Sequence, residues 1–188
     1  RKLGLAGNAP VILIAAGGYG VGPVEQLVRN LLAMEKPWLI VAIAGKSEEV
    51  RERLEGIARK AGKLPDGAPR LHAVGFTREM DQFMAAADLL VGKAGGLTTS
   101  EALARELPMA VVEPIPGQEE RNADHLLEAG AAIRCNNLPA AAWKIGKLLD
   151  TPARLARMRQ AAAAMGRPRA AAEIAADALT LISRHASK

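Results

Sequence analysis

The run Val91-Gly-Lys-Ala-Gly-Gly-Leu-Thr-Thr-Ser-Glu101, followed by Pro114-Ile-Pro-Gly-Gln-Glu-Glu-Arg-Asn122, holds residue types that can grip an anion and a polyol. Asp88 to Val91 reads as an apolar strand leading into a bend at Gly95-Gly96. A helix is expected to open across Leu97 to Ser100, with Glu101 as the acid of its first turn. Glycine has no Cβ, so its backbone can approach a ligand closely. A helix N-terminus offers free N–H groups and a partial positive charge, which suits phosphate. A carboxylate one turn in can accept hydrogen bonds from vicinal hydroxyls such as those of a ribose. An anion site beside a diol acceptor points to a nucleotide or nucleotide-sugar pocket.

Each of these residues also has a plain structural role. Lys93 is either a surface lysine or the charge that neutralises a phosphate. Thr98, Thr99 and Ser100 are candidate helix caps, and one hydroxyl can cap and also face a phosphate. Glu101 serves equally as a dipole partner of its own helix. Gln118, Glu119, Glu120 and Asn122 open a second helix after Pro116-Gly117, where an acidic first turn is ordinary. The sharper alternative is that an amide and a carboxylate of this turn hold sugar hydroxyls. Phe76, in Gly75-Phe76-Thr77-Arg78, is a candidate core residue, and Met80 packs either into the core or against a base.

A further loop, Ala16-Gly-Gly-Tyr-Gly-Val-Gly-Pro23, has four glycines in six positions, more than a tight turn needs. Gly17, Gly18 and Gly20 are therefore expected to let the backbone approach a pyrophosphate. The loop is not a dinucleotide fingerprint, because Pro23 stands where the third glycine belongs. Gly45-Lys46-Ser47 resembles the end of a P-loop, but Ile40 occupies the first glycine position and the cradle is missing. His72, His125, His185 and Cys135 show no metal-ligand spacing. There is no Asp-x-Asp pair and no Ser–His–Asp arrangement. No bound metal or cofactor is expected; helix dipoles and basic groups would stabilise a leaving diphosphate instead. Trp38 and Trp143 read as packing residues.

The elements that must position these loops alternate regularly. Val11–Ala16, Trp38–Ala44, Leu71–Val74, Leu89–Val91, Met109–Val112 and Ala131–Arg134 read as strands. Val24–Met34, Glu48–Ala61, Met80–Ala86, Thr98–Arg105, Glu119–Ala129, Leu138–Leu149, Ala153–Met165 and Arg169–His185 read as helices. Lys63–Pro69 reads as a loop. Such alternation implies an α/β fold, a Rossmann-like three-layer sandwich with a mainly parallel sheet. Ligands of such sheets bind beyond the carboxyl ends of the strands, where the glycine-rich loops fall.

With 188 residues the chain is expected to be one domain with a full core. Aromatics make up only 3%, so that core must be Ala, Leu, Val and Ile. No apolar run approaches the ~20 residues of a membrane span. No signal peptide is visible, and the single cysteine fits a reducing compartment. The net charge of +5 sits entirely in residues 151–188, which hold seven basic residues against two acidic ones. That excess is either a solvated helical face or a contact for an anionic surface. Lipid suits it better than nucleic acid, since no aromatics interleave with the basic cluster.

Lys93-Ala-Gly-Gly-Leu-Thr-Thr-Ser-Glu-Ala-Leu, Leu107-Pro and Pro114-Ile-Pro-Gly-Gln-Glu-Glu-Arg-Asn-Ala-Asp together resemble the monogalactosyldiacylglycerol synthase and processive diacylglycerol glucosyltransferase family. This family is of the glycosyltransferase family 28 type. The peptidoglycan lipid-intermediate N-acetylglucosaminyltransferase is a more distant relative. The resemblance implies the C-terminal, donor-binding half of a GT-B enzyme, inverting at the anomeric carbon and using a UDP-sugar. Residues 1–8 would be the remnant of an interdomain linker. The lipid acceptor site and the general base would lie in an N-terminal half, so this chain alone is expected to be inactive.

For the site, the resemblance implies Gly17, Gly18 and Gly20 near the donor phosphates, and Lys93, Gly95, Gly96, Leu97 and Thr98 among the donor-binding residues. It implies Phe76 and Thr77 along the uracil, largely through backbone groups. Glu101 is implied at the ribose, and Gln118 and Glu119 at the hexose. Glu120 and Arg121 would face solvent. Two departures stand out: Glu106 occupies a position where the family commonly has glycine, and Tyr19 replaces Glu or Phe in the first loop. The implied location is cytoplasmic and peripheral on the inner face of the cell membrane. Alternatives are a naturally separate donor-binding subunit paired with an acceptor-binding protein, or half of a UDP-sugar epimerase. The Pro-Gly-Gln-Glu motif disfavours the epimerase.

Overall fold

A computed structural model describes residues 3, 5, 9–15 and 24–186 of the chain. Six strands, β1 (Val11–Ala15), β2 (Leu39–Ile43), β3 (Leu71–Val74), β4 (Leu89–Gly92), β5 (Met109–Val112) and β6 (Ala132–Cys135), form one sheet in the order β3-β2-β1-β4-β5-β6. Every pair is parallel. The helices are α1 (Val24–Leu32), α2 (Glu48–Ala58), α3 (Met80–Ala86), α4 (Gly96–Ala104), α5 (Gln118–Glu128), α6 (Leu138–Leu149), α7 (Pro152–Met165) and α8 (Ala170–Ala186). Lys63–Pro69 is the expected loop, closed by an isolated antiparallel bridge between its ends.

The four inner strands are apolar throughout because both faces of the sheet are covered, and the edge strands β3 and β6 each carry one polar residue, His72 and Arg134. Side chains alternate between two cores. Ile12, Ile14, Ile40, Ala42, Leu89 and Val91 point to one face, where they meet α1, α2 and α6. Leu13, Val41, Ile43, Leu90, Met109 and Val111 point to the other, against α3, α4 and α5. Helix α7 joins the layers, since its Met158 belongs to the first core and its Ala162 to the second. Trp38 packs as the sequence predicts, at 3% exposed, but Trp143 does not: it stands 57% exposed on α6. The reason lies in α6 itself, whose Ala141, Ala142, Ile145, Leu148 and Leu149 already supply a complete inner face. No helix among the described residues is long and apolar enough to cross a membrane.

The strand order reverses between β1 and β4. Crevices at such a point are where parallel sheets bind ligands. Gly92 ends β4 opposite Ala15, and a Cβ there would lie 3.1 Å from the Ala15 carbonyl oxygen. The missing Cβ lets the two strands stay paired up to their last residues without pushing on the backbone.

Helices α4 and α5 end alike. After α5, Ala131 N–H donates to Leu126 O and Gly130 N–H to Leu127 O, with Gly130 at φ 77°. After α4, Leu107 N–H donates to Ala102 O and Glu106 N–H to Leu103 O, with Glu106 at φ 56°. Both are Schellman ends. The second forces a glutamate into the left-handed region, where a Cβ is penalised. Glu106→Gly should therefore raise stability by about 0.5–1 kcal/mol, seen as a higher urea midpoint with an unchanged slope.

Candidate functional site

The loops after β2, β3, β4 and β5 gather at the carboxyl edge of the parallel sheet and can be followed side chain by side chain. The loop after β1, with Gly17, Gly18 and Gly20, lies outside the described residues.

After β4 the chain turns at Ala94-Gly95 and enters α4. The sequence places the helix start at Leu97 or later and Glu101 in its first turn. The structure corrects this: α4 begins at Gly96, and its first turn holds no acid. Gly95 itself is the N-cap, extended at φ −67° and ψ 147°, so Thr98, Thr99 and Ser100 are already helical and no side chain caps the end. Glu101 thus sits in the second turn. It is exposed, and its carboxylate has no partner among the described residues. The macrodipole acts mainly within the first turn, so the dipole role for Glu101 falls away. Lys93 is half-buried beside the bend, Leu97 is 81% exposed, and Thr98 is half-buried. Thr99 Oγ1 is buried and makes no hydrogen bond among the described residues.

After β5 the loop Pro114-Ile-Pro-Gly117 reaches α5 through Gly117 at φ 97°, a value that favours glycine. Two acids shape this entry. Glu119 Oε2 accepts from Ile115 N–H at 2.7 Å, and Glu120 Oε2 accepts from Gly117 N–H at 3.4 Å. Asn122 Nδ2 donates to Ala94 O at 2.8 Å and so ties α5 to the loop in front of α4. The consequence is convergence. A Cβ on Gly95 would lie 3.9 Å from Glu119 Oε1, and one on Gly96 would lie 4.0 Å from Gln118 Nε2. The amide and the carboxylate of one helix start thus stand over the bare backbone of the other.

After β3, Phe76 is not a core residue but 59% exposed. Lys46, from the loop after β2, holds its Nζ 5.8 Å from the Phe76 ring centroid, within cation–π range. Thr77 Oγ1 accepts from Glu79 N–H at 3.0 Å, a local turn that starts the path into α3. Met80 packs onto the second core. Gly75 packs under the Arg51 side chain: a Cβ there would lie 2.9 Å from Arg51 Cδ, so a larger residue would push that side chain aside. Arg51 is in turn held by Glu48 and Glu55. Exposed Phe76, Leu97 and Ile115 give this edge three apolar projections among its polar groups. The sequence did not single out Lys46, Gly92 or Ile115 for this edge. Lys46 was in view only as part of a failed P-loop match.

Groups suited to acid–base or thiol chemistry do not join this cluster. Cys135 is buried, which pushes its thiol up to about 11 against a weak opposing effect from Lys144. A protonated thiol is a poor nucleophile. Burial also lowers the His72 pKa, and its Nε2 has no partner among the described residues. Among the described residues no three His, Cys, Asp or Glu side chains come together as metal ligands. The chemistry available at this edge is recognition of an anion and of hydroxyls.

Residues 11–180 match the model of the glycosyltransferase family 28 C-terminal domain. The chain belongs to that family. The family 28 domain is 31% identical over 177 residues to a processive diacylglycerol beta-glucosyltransferase of Staphylococcus saprophyticus, a match covering 94% of this chain and 44% of that protein. The chain thus spans less than half the length of that relative. Among solved structures the domain superposes on Acinetobacter baumannii MurG with a TM-score of 0.72 at 21% identity, over 90% of this chain and 49% of that one. It also superposes on the Neisseria meningitidis UDP-GlcNAc 2-epimerase bound to UDP-GlcNAc, with a TM-score of 0.67 at 16% identity, over 95% and 46%. At these identities the two structures establish the shared fold alone. The fold is the Rossmann-like half of a GT-B arrangement, as the motifs imply.

Proposed function

We propose that this family 28 domain is the nucleotide-sugar-binding half of an inverting glycosyltransferase. The complete enzyme would pass a hexose from a UDP-hexose to diacylglycerol or a similar lipid. The observation that supports this most directly is the approach of Gln118 and Glu119 to Gly95 and Gly96. The uncapped start of α4 suits the diphosphate, with Lys93 beside it. Glu101, farther along the same helix, suits the ribose diol. Gln118 and Glu119 suit the hexose hydroxyls. Phe76 and Thr77, with Lys46, suit the base, and Gly17, Gly18 and Gly20 the phosphates. The name of the staphylococcal relative supports diacylglycerol as the acceptor class. Its action on a lipid would place the complete enzyme at a membrane surface, on the cytoplasmic side.

In this scheme an acceptor hydroxyl attacks the anomeric carbon, the bond from that carbon to the diphosphate breaks, and UDP leaves. Preorganised N–H groups and Lys93 meet the charge that develops on the diphosphate, an electrostatic contribution that needs no rearrangement during the reaction. Calorimetric titration of UDP, UDP-glucose, UDP-galactose and UDP-N-acetylglucosamine into the purified chain tests the donor class. Binding of UDP should persist in the presence of EDTA; loss of binding on chelation would overturn the metal-free site.

Gln118→Ala and Glu119→Ala separate the hexose from the nucleotide. Each should lower UDP-hexose affinity by roughly ten-fold while leaving UDP within about two-fold. Glu119→Ala should also cost some stability, because Ile115 N–H loses its acceptor. Equal weakening of UDP by both variants would assign these side chains to scaffold.

A further inference from the structure

β6 is an edge strand of the sheet. A groove of about 400 Å³ runs along it. Leu127, Ala132 and Ile133 form its apolar floor, and Arg134, Lys144, Lys147 and Arg154 form its rim, with Trp143 beside them and no acidic lining residue. Trp143 and Lys147 are four residues apart on α6 and share its outer face.

Two of the cations are engaged. Lys144 Nζ donates to Arg134 O at 2.8 Å, which covers part of the strand edge, and Arg134 lies 3.7 Å from Asp124. The side-chain charges of Lys147 and Arg154 have no partner among the described residues. An exposed indole over an apolar floor, ringed by unneutralised cations, is the composition that suits the boundary between lipid headgroups and acyl chains. A strand of nucleic acid would ask for successive stacking platforms, and this flank has one.

We propose that the β6 flank docks on an anionic phospholipid surface, with Trp143 entering the interface and Lys147 and Arg154 meeting headgroup phosphates. This deepens the lipid-acceptor reading of the preceding section and rests on it for the presence of a membrane. The flank would hold the donor-binding half against the bilayer from which the acceptor comes.

The chain contains only two tryptophans, and Trp38 is already buried, so a change in indole emission on binding reports Trp143. The test adds phosphatidylcholine vesicles, or vesicles of phosphatidylcholine and phosphatidylglycerol in equal parts, to the 188-residue chain. The expected result is co-sedimentation with the anionic vesicles only, a blue shift of emission, and quenching by brominated acyl chains. The charge-reversed pair K147E and R154E should lower anionic-vesicle partitioning at least ten-fold. W143F should abolish the emission change while keeping the chain folded. Absence of vesicle binding, binding with unchanged Trp143 emission, or binding unaffected by K147E and R154E would each overturn the proposal. So would displacement of the vesicles by an oligonucleotide whose binding needs the same two cations. UDP titrated into the same samples keeps the two readings separate: UDP binding without vesicle binding sinks the docking surface alone, and vesicle binding without UDP binding sinks the donor site alone.

Discussion

Glu101→Ala should weaken UDP by roughly ten- to a hundred-fold, and Glu120→Ala should leave it nearly unchanged. The difference follows from what each carboxylate already does. Glu120 is spent on its own helix start, accepting from Gly117 N–H. Glu101 is exposed and has no partner among the described residues. It also stands five residues beyond Gly96, about 7.5 Å farther along α4, a span suited to a ribose whose diphosphate rests on the helix start. A hydrogen bond to a charged group contributes about 1.5–3 kcal/mol, which gives the expected range in affinity. Since Glu101 lies past the first turn and caps nothing, its loss should move stability by no more than about 0.5 kcal/mol. Calorimetry on both variants, with thermal unfolding as the control for folding, decides it. Equal effects of the two substitutions would refute the ribose assignment.

The fold class was legible in the sequence because a parallel sheet covered on both faces leaves short, wholly apolar runs. β1, β2, β4 and β5 follow that rule, while β3 and β6, at the two edges of the sheet, each admit one polar residue, His72 and Arg134. Their order is a different matter. Alternation of strand and helix does not say that β4 returns beside β1, and that return creates the crevice. The start of α4 was misread for a local reason. Hydroxyl residues are the usual caps, and Thr98, Thr99 and Ser100 drew the boundary toward themselves, while Gly95 does the capping through its extended backbone.

Trp143 departs from its packing expectation, and Phe76, which the sequence leaves between the core and a base contact, faces outward too, because Ile, Leu, Val and Ala supply most of both cores. The donor candidates after β4 and β5 were legible as two motifs. Their meeting, Glu119 and Gln118 over Gly95 and Gly96, was not, because it depends on β4 and β5 being sheet neighbours. Lys46 was lost for the same kind of reason. Its role beside Phe76 arises only because β2 and β3 pair.

Residues 1–188 alone should form no glycolipid, whatever their affinity for UDP-sugar. Donor binding by this edge holds one reactant. Sugar transfer needs a second, an acceptor hydroxyl placed against the anomeric carbon with a base to take its proton. Among the described residues His72 is displaced toward its neutral form by burial and lies in β3 rather than in the loops of the proposed donor site, and the carboxylates of those loops are the ones proposed to bind the donor. Orientation of an attacking group supplies about 7–11 kcal/mol of the barrier reduction, roughly five to eight powers of ten in rate. A half-site that lacks this contribution is left with water as its nucleophile and at most slow hydrolysis of the donor. The assay is transfer of labelled sugar from each UDP-hexose to diacylglycerol in mixed micelles, with free sugar counted in parallel. Glycolipid formed by this chain, and abolished by Glu101→Ala, would place a complete transferase within residues 1–188. The division of labour between donor and acceptor halves would then be wrong, even with the donor site correctly assigned.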